Sequence, residues 1–185
     1  MSEKKYQVFL SSTYSDLKAE RKIVIYFILD SGNIFAGMER FPASDMDRWD
    51  YIQRVLDNTD YFILLSAGKY GSWFADKKER ISWTEREFDY AVEKRIPILS
   101  FIRDDVDSLP ANLIEKDVEK QIKLKNFHLK IMDYGSWKNY SNQLELLSRV
   151  SASLPQASEN NPRIGWFRGN QIIEDANGSL KWKRI

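Results

Sequence analysis

The segment SWTEREFDYA, residues 82–91, sets Trp83 and Glu87 four positions apart, just ahead of the apolar run IPILSFI. On a helix this spacing puts an indole and a carboxylate on one face, while Phe88, Ala91 and Val92 form a second stripe that can pack on a sheet. A carboxylate beside an aromatic wall can stabilise an oxocarbenium-like sugar or form a glycosyl intermediate with it. One such group is enough when the leaving group already carries positive charge, as nicotinamide does in its ribosyl bond, because no second acid has to protonate it. The same residues also suit an amphipathic helix anchored by Trp83, with Glu87 solvated or ion-paired. Both readings stand at this level.

Other groups with chemical potential cluster where strands should end. Ser11, Ser12 and Thr13 close the first apolar run, and hydroxyls at that position can hold a polar or anionic ligand group or simply cap the next helix. Tyr14 follows them, Tyr70 lies in the loop SAGKYGS, and Arg103 follows IPILSFI. Glu39 and Asp45 flank the end of the second apolar run, and either could serve as the second acid that hydrolysis of a free nucleoside requires. The candidates are therefore Glu87 as catalytic carboxylate and Ser11, Ser12, Tyr14, Asp45, Tyr70, Trp83 and Arg103 as substrate-binding residues. Arg21, beside Glu20, is expected to pair with a carboxylate on a neighbouring element. His128 sits in an apolar segment and reads as a packed residue.

Several chemistries have no sequence support. There is no G-x-x-x-x-G-K-[ST], G-x-G-x-x-G or G-x-S-x-G pattern. With no cysteine and one histidine in 185 residues, disulfides, thiolate nucleophiles and multi-histidine metal sites are excluded, and neither a metal nor a cofactor is expected. Lysine and arginine total 28 against 27 acidic residues, so net charge gives no pull toward nucleic acid or an anionic membrane. No signal-peptide pattern or long apolar span occurs, and a cytoplasmic location is expected.

The elements that must position these groups alternate. YQVFLSS reads as a strand and TYSDLKAERKIVIYFILDSG as a helix, with Ser15 or Asp16 as its cap. IFAGMERFP, YFILLSAGKYG and IPILSFIR read as further strands, and DMDRWDYIQRVLDNTD and SWTEREFDYAVEKR as the intervening helices. NFHLKIMDYG, residues 126–135, is expected to be a fifth strand after a Lys-rich helix or linker around residues 111–125, and YSNQLELLSRVSASL a closing helix. Apolar runs without alternation imply a mainly parallel, doubly wound five-stranded α/β sheet covered by helices on both faces. Ligands of such sheets bind beyond the carboxyl ends of the strands. The expected division is an α/β domain over residues 1–154, a polar linker over 155–162 and a C-terminal β-hairpin over 163–185, turning near Asn177-Gly178.

VFLSSTYSDLKAERKIV (residues 8–24), YFILLSAGKYGS and SWTEREFDYAVEKRIPILSFI resemble an uncharacterised domain family. Its first strand ends in S-S-T, its first helix carries D-x-x-x-E-R, and it often precedes NACHT or AAA ATPase and repeat modules. The match spans about residues 6–150, and GWFRG at 165–169 is similar to that family's ending. The family is grouped with Toll/interleukin-1 receptor (TIR)-like and nucleoside deoxyribosyltransferase-like folds. YQVFLSS resembles the TIR first-strand box, and Trp83 and Glu87 match a W-x-x-x-E pattern whose Glu is the catalytic carboxylate of NAD-cleaving TIR domains. The sequence departs from TIR domains in having Gln7 for the usual Asp, Ser12 for the usual aromatic, and only PASDMDRW for the long loop after the second strand. The resemblance implies cleavage or rearrangement of an N-glycosidic bond in NAD or a related nucleotide, with self-assembly or a partner effector protein, in bacterial anti-phage defence signalling. It is also compatible with a non-catalytic interaction module and with a nucleoside hydrolase or deoxyribosyltransferase.

Overall fold

A computed structural model of the chain describes residues 4–40, 47–74, 80–167, 172–174 and 180–182. Five short runs rich in β-branched and aromatic residues form one parallel sheet: β1 (Gln7–Ser12), β2 (Ile34–Ala36), β3 (Tyr61–Ser66), β4 (Ile98–Arg103) and β5 (Trp137–Tyr140). Their order is β2-β1-β3-β4-β5 with every pair parallel. This is the flavodoxin-like order of a doubly wound α/β sheet, the architecture the apolar runs imply. β1 and β3 are buried along almost their whole length, so both faces need cover.

Helices α1 (Lys18–Asp30) and α5 (Gln143–Asn160) cover one face. Val24, Ile28, Leu146 and Val150 pack there against Val8, Leu10 and Ile63. Helices α2 (Arg48–Asp57), α3 (Trp83–Glu93) and α4 (Val118–Tyr134) cover the other, where Ile52, Leu56, Phe88, Ala91, Phe127 and Ile131 meet Phe9, Phe62 and Leu64. The chain leaves β1 toward β2 on one side and reaches β3 on the other. That reversal opens a crevice at the carboxyl ends of β1 and β3, between the Ser12–Leu17 connection and the loop after β3.

The segment expected to be the fifth strand is helical. Phe127 and Ile131 are buried four residues apart, with Leu124 partly buried one turn earlier, a 3.6-residue period that a short apolar run does not distinguish from a strand. Gly135, at φ +91°, closes α4 in the left-handed conformation. The actual edge strand, WKNY, exposes three of its four residues and so lacks an apolar signal. The second strand is also shorter than expected, giving way to a 3₁₀ turn at Met38–Arg40. α5 continues through Pro155 to Asn160, so most of the polar stretch expected as a linker is helical, held by buried Leu154 and Ala157.

Beyond α5, the Tyr61 hydroxyl donates to the Asn161 carbonyl at 2.8 Å, and the Lys5 and Trp166 backbones pair antiparallel. Two three-residue strands, β6 (Ile172–Glu174) and β7 (Leu180–Trp182), pair antiparallel, while the expected turn at Asn177-Gly178 lies outside the described residues. No helix among the described residues is long and apolar enough to cross a membrane.

The D-x-x-x-E-R segment of α1 and its approach fastens four strand ends together. Asp16 accepts from the Thr13 hydroxyl and from the Lys69 backbone N–H at 3.1 Å, tying the end of β1 to the loop after β3. It is therefore not the helix cap; Leu17 holds that position without a side-chain bond. Glu20 receives Arg103 from the end of β4 at 3.3 Å. Arg21, 1% exposed, donates Nε and Nη2 to the two oxygens of Glu39 after β2 at 2.6 Å each, and Nη1 to Ser12 at 2.8 Å. A buried guanidinium without its counter-charge is strongly destabilising. Glu39→Gln is expected to lower unfolding stability by roughly 3 kcal/mol, or about 10 °C in Tm for a chain of this length, measured by thermal or urea denaturation. A change below about 0.5 kcal/mol would show that the pair carries no stability.

Candidate functional site

The Ser82 hydroxyl accepts the Glu85 N–H at 3.1 Å and so fixes where α3 begins. With that start, Trp83, Thr84 and Glu87 fall on the face turned to the crevice, and Phe88 and Ala91 on the face turned to the sheet. They line a cavity of about 220 Å³, closed on its other sides by Ser12, Thr13 and Tyr14 after β1, Arg21 of α1, Arg48 of α2, and Gly71 and Ser72 after β3. Gly71, at φ +94°, lies so close to Thr13 that a Cβ would sit 2.8 Å from its methyl, so the two loops touch only because residue 71 has no side chain.

Glu87 is 9% exposed, and its Oε2 accepts the Ser11 hydroxyl at 2.5 Å. Loss of water around the carboxylate pushes its pKa up to about 7, against the pull of the Ser11 hydrogen bond and the positive charges of Arg21 and Arg48. A carboxyl poised at neutral pH on a cavity wall can carry a proton, stabilise positive charge or attack as a nucleophile.

Arg48 and Trp83 of the lining belong to a pile of cations and rings that extends behind it. The Arg48 guanidinium lies 4.3 Å over the Trp83 ring, Trp83 meets Phe74 edge to face at 4.8 Å, Phe74 meets Trp49 at 5.3 Å, and Arg86 covers Trp49 at 4.9 Å. Such stacks hold an indole rigid while leaving guanidinium edges able to donate. No group of three or more His, Asp or Glu with metal-holding geometry occurs among the described residues.

The structure brings Ser12, Tyr14, Trp83 and Glu87 to the cavity lining and puts Ser11, Tyr70 and Arg103 elsewhere. Ser11 is buried behind the wall, where it orients Glu87. Tyr70 is 1% exposed; its hydroxyl donates to Glu85 and accepts the Ser82 N–H at 3.1 Å, so it secures the start of α3 and does not line the cavity. Arg103 is held by Glu20 and by Asp105, at 2.7 Å, away from the lining. Asp45 lies outside the described residues. Glu39 is engaged by Arg21 through both oxygens. His128 lies on α4, where its Nε2 is 2.8 Å from the Ser66 hydroxyl and burial lowers its pKa to about 4, so it is neutral at physiological pH. Arg48, Thr84 and Ser72 are lining residues that sequence patterns did not single out. Arg48 occupies the first turn of a helix, where a polar residue reads as an ordinary solvated position.

Residues 7–155 match the family described as Domain of unknown function (DUF4062). The chain belongs to that family. No curated protein matches the chain. Among solved structures it is similar to the CMP N-glycosidase BcmB of Clostridium botulinum, at 14% identity and a TM-score of 0.49, over 80% of this chain and 99% of that one. It is also similar to the TIR domains of the activated Roq1 resistosome recognising the effector XopQ, at 10% identity and a TM-score of 0.44, over 80% of this chain and 82% of that one.

Burial of Glu87 has a measurable cost. Below its ordinary pKa of 4.5 the carboxyl is protonated whether the chain is folded or not; between 4.5 and about 7 the unfolded chain gives up the proton while the folded chain keeps it. Folding therefore loses stability as pH rises through that window, by about 3 kcal/mol when complete. Glu87→Gln, which cannot ionise, is expected to gain that amount relative to wild type between about pH 4.5 and pH 8, read from urea unfolding at each pH. A constant difference across the range would show that Glu87 keeps an ordinary pKa in the folded chain.

Proposed function

We propose that the chain is a TIR-like nucleotide-processing enzyme that cleaves or rearranges the N-glycosidic bond of NAD or a related nucleotide, with Glu87 acting at the ribosyl carbon. The observation that carries this reading is the Glu87 carboxyl, held by Ser11 at 2.5 Å on the wall of a cavity flanked by Trp83. Among the described lining residues Glu87 is the only carboxylate. A site with one acid favours a substrate whose base already bears positive charge, as a pyridinium ribosyl bond does, because that base departs neutral without being protonated. The ionised Glu87 then offsets the positive charge that develops on the sugar, or bonds to C1′ and is released by water or by another nucleophile. Trp83 supplies an apolar wall that excludes water from the reacting carbon.

The alternative of a hydrolase or transferase acting on neutral nucleosides needs a second acid to protonate the leaving base. Glu39, one of the two candidates for that part, is committed to Arg21. The alternative of a non-catalytic interaction module leaves unexplained why a carboxyl is buried at an energetic cost beside an open cavity.

A second copy of the chain is part of the proposal. A cavity of about 220 Å³ is smaller than the roughly 300–1,000 Å³ usual for a ligand pocket, so a dinucleotide would extend past the walls one chain provides. The defence-signalling setting implied by the family resemblance belongs to the proposal as well.

The test is release of nicotinamide from NAD, with product analysis for free or cyclic ADP-ribose, across a range of protein concentration. Wild type is expected to turn over NAD, and Glu87→Gln and Glu87→Ala to lose about 10³-fold or more in kcat/KM. Since the ionised carboxylate is the working form, kcat/KM should rise with pH and level off above about 7. Turnover that is absent at high concentration, or indifferent to Glu87, would reject the enzymatic reading and leave the interaction module.

A further inference from the structure

We infer that Arg48 makes this cavity selective for ribosyl ligands that carry a phosphate, so that nucleotides bind in preference to the corresponding nucleosides. The inference rests on the reading of the cavity as an N-ribosyl site and names the substrate class within it.

Charge accounting around the cavity leads there. The charged lining groups among the described residues are Arg21, Arg48 and Glu87. Arg21 is buried and neutralised by Glu39 through two bonds of 2.6 Å. Glu87, with a pKa near 7, is only partly ionised at neutral pH. Arg48 is different: it is exposed, and no carboxylate partner for it occurs among the described residues. Its neighbour Asp47 is spent on the helix start, accepting the Trp49 N–H at 2.7 Å and the Asp50 N–H at 3.4 Å. Summed over the described lining residues, the cavity therefore carries net positive charge.

The geometry suits a phosphate. Stacking on Trp83 at 4.3 Å engages the face of the guanidinium and leaves its N–H edges to donate. An edge-on guanidinium matches two oxygens of a phosphate at once, which a surface lysine does not. Ser15 and Ser72, both exposed and both on the cavity lining, bring hydroxyl donors to the same mouth. Glu87 lies at the buried end, so a ribose bridging the two would put its anomeric carbon toward the carboxyl and its phosphate toward Arg48 without setting two anions together.

Binding, measured apart from catalysis, tests this. Calorimetric titration of the Glu87→Gln chain with nicotinamide mononucleotide and with nicotinamide riboside compares ligands that differ only by the phosphate. The Gln background also removes any effect of Arg48 on the ionisation of Glu87. The mononucleotide is expected to bind at least about 10-fold more tightly, and Arg48→Gln added to Glu87→Gln should bring the two affinities together. Arg48 is exposed and outside the core, and an unchanged circular dichroism spectrum and Tm would show that the double variant is folded. Equal affinities with Arg48 present, a preference that survives its removal, or no binding of either ligand would each overturn the inference. Failure of the catalytic reading looks different: wild type would show no Glu87-dependent nicotinamide release while the phosphate preference stayed intact.

Discussion

Two consecutive serines at the end of β1 govern the site. Side chains of a strand alternate between faces, so Ser11 must point to the α3 side and Ser12 to the α1 side. Ser11 donates to Glu87 of α3, and Ser12 accepts from Arg21 of α1. One strand end therefore fixes an acid on one layer and a base on the other within a few ångströms of the same backbone. Sliding β1 forward by one residue would put Leu10 where Ser11 stands and leave the buried Glu87 carboxyl facing an apolar side chain. Register along β1 is accordingly specified by polar groups at this end and by Val8, Phe9 and Leu10 along the rest.

Much of this arrangement is legible in the amino-acid sequence because it is local. Continuous apolar runs separated by periodic helices define a parallel sheet, and the loops at the carboxyl ends of β1 and β3 follow from that topology alone. Trp83 and Glu87 are visible as a pair because helical spacing is a local property. What escapes is long-range or weakly apolar. β5 exposes most of its residues and leaves no hydrophobic trace, so the neighbouring run around Phe127 was the more strand-like segment. Tyr70 and Arg103 sit at the expected strand ends, yet their side chains are taken by Glu85 and Glu20, residues 15 and 83 positions away, which no local pattern reveals. Arg48 leaves no trace for the opposite reason: no carboxylate pairs with it among the described residues, and its place on the lining shows only once a separate helix delivers Trp83 beneath it.

The α1 clamp and the cavity show two treatments of buried charge. At Arg21 the fold supplies two carboxylate bonds and a hydroxyl, so a cation at 1% exposure is satisfied. At Glu87 it supplies one hydroxyl and withholds a direct cation, so the carboxylate is under-stabilised and its pKa climbs. The contrast is between elements one helical layer apart, built from equally polar residues. Satisfying Glu87 as fully as Arg21 would yield a more stable chain with an inert acid. The unsatisfied state is what keeps the carboxyl responsive to whatever enters the cavity.

That responsiveness gives the site a preference for one kind of ligand charge. Linkage is reciprocal: a ligand that binds more tightly when Glu87 is ionised must lower the pKa of Glu87 by the same free energy. A positively charged base placed against the carboxyl has this property, so its arrival would convert the poised acid into the ionised form that an N-ribosyl cleavage needs. A neutral base brings no such shift and would meet a carboxyl still half protonated. The phosphate, being negative, acts in the opposite sense, and on the proposed reading it goes to the exposed guanidinium of Arg48 at the mouth, not to the buried carboxyl. On the proposed reading, a molecule with a cationic base at one end of its ribose and an anionic phosphate at the other matches the cavity's charges best with its anomeric carbon toward the buried carboxyl.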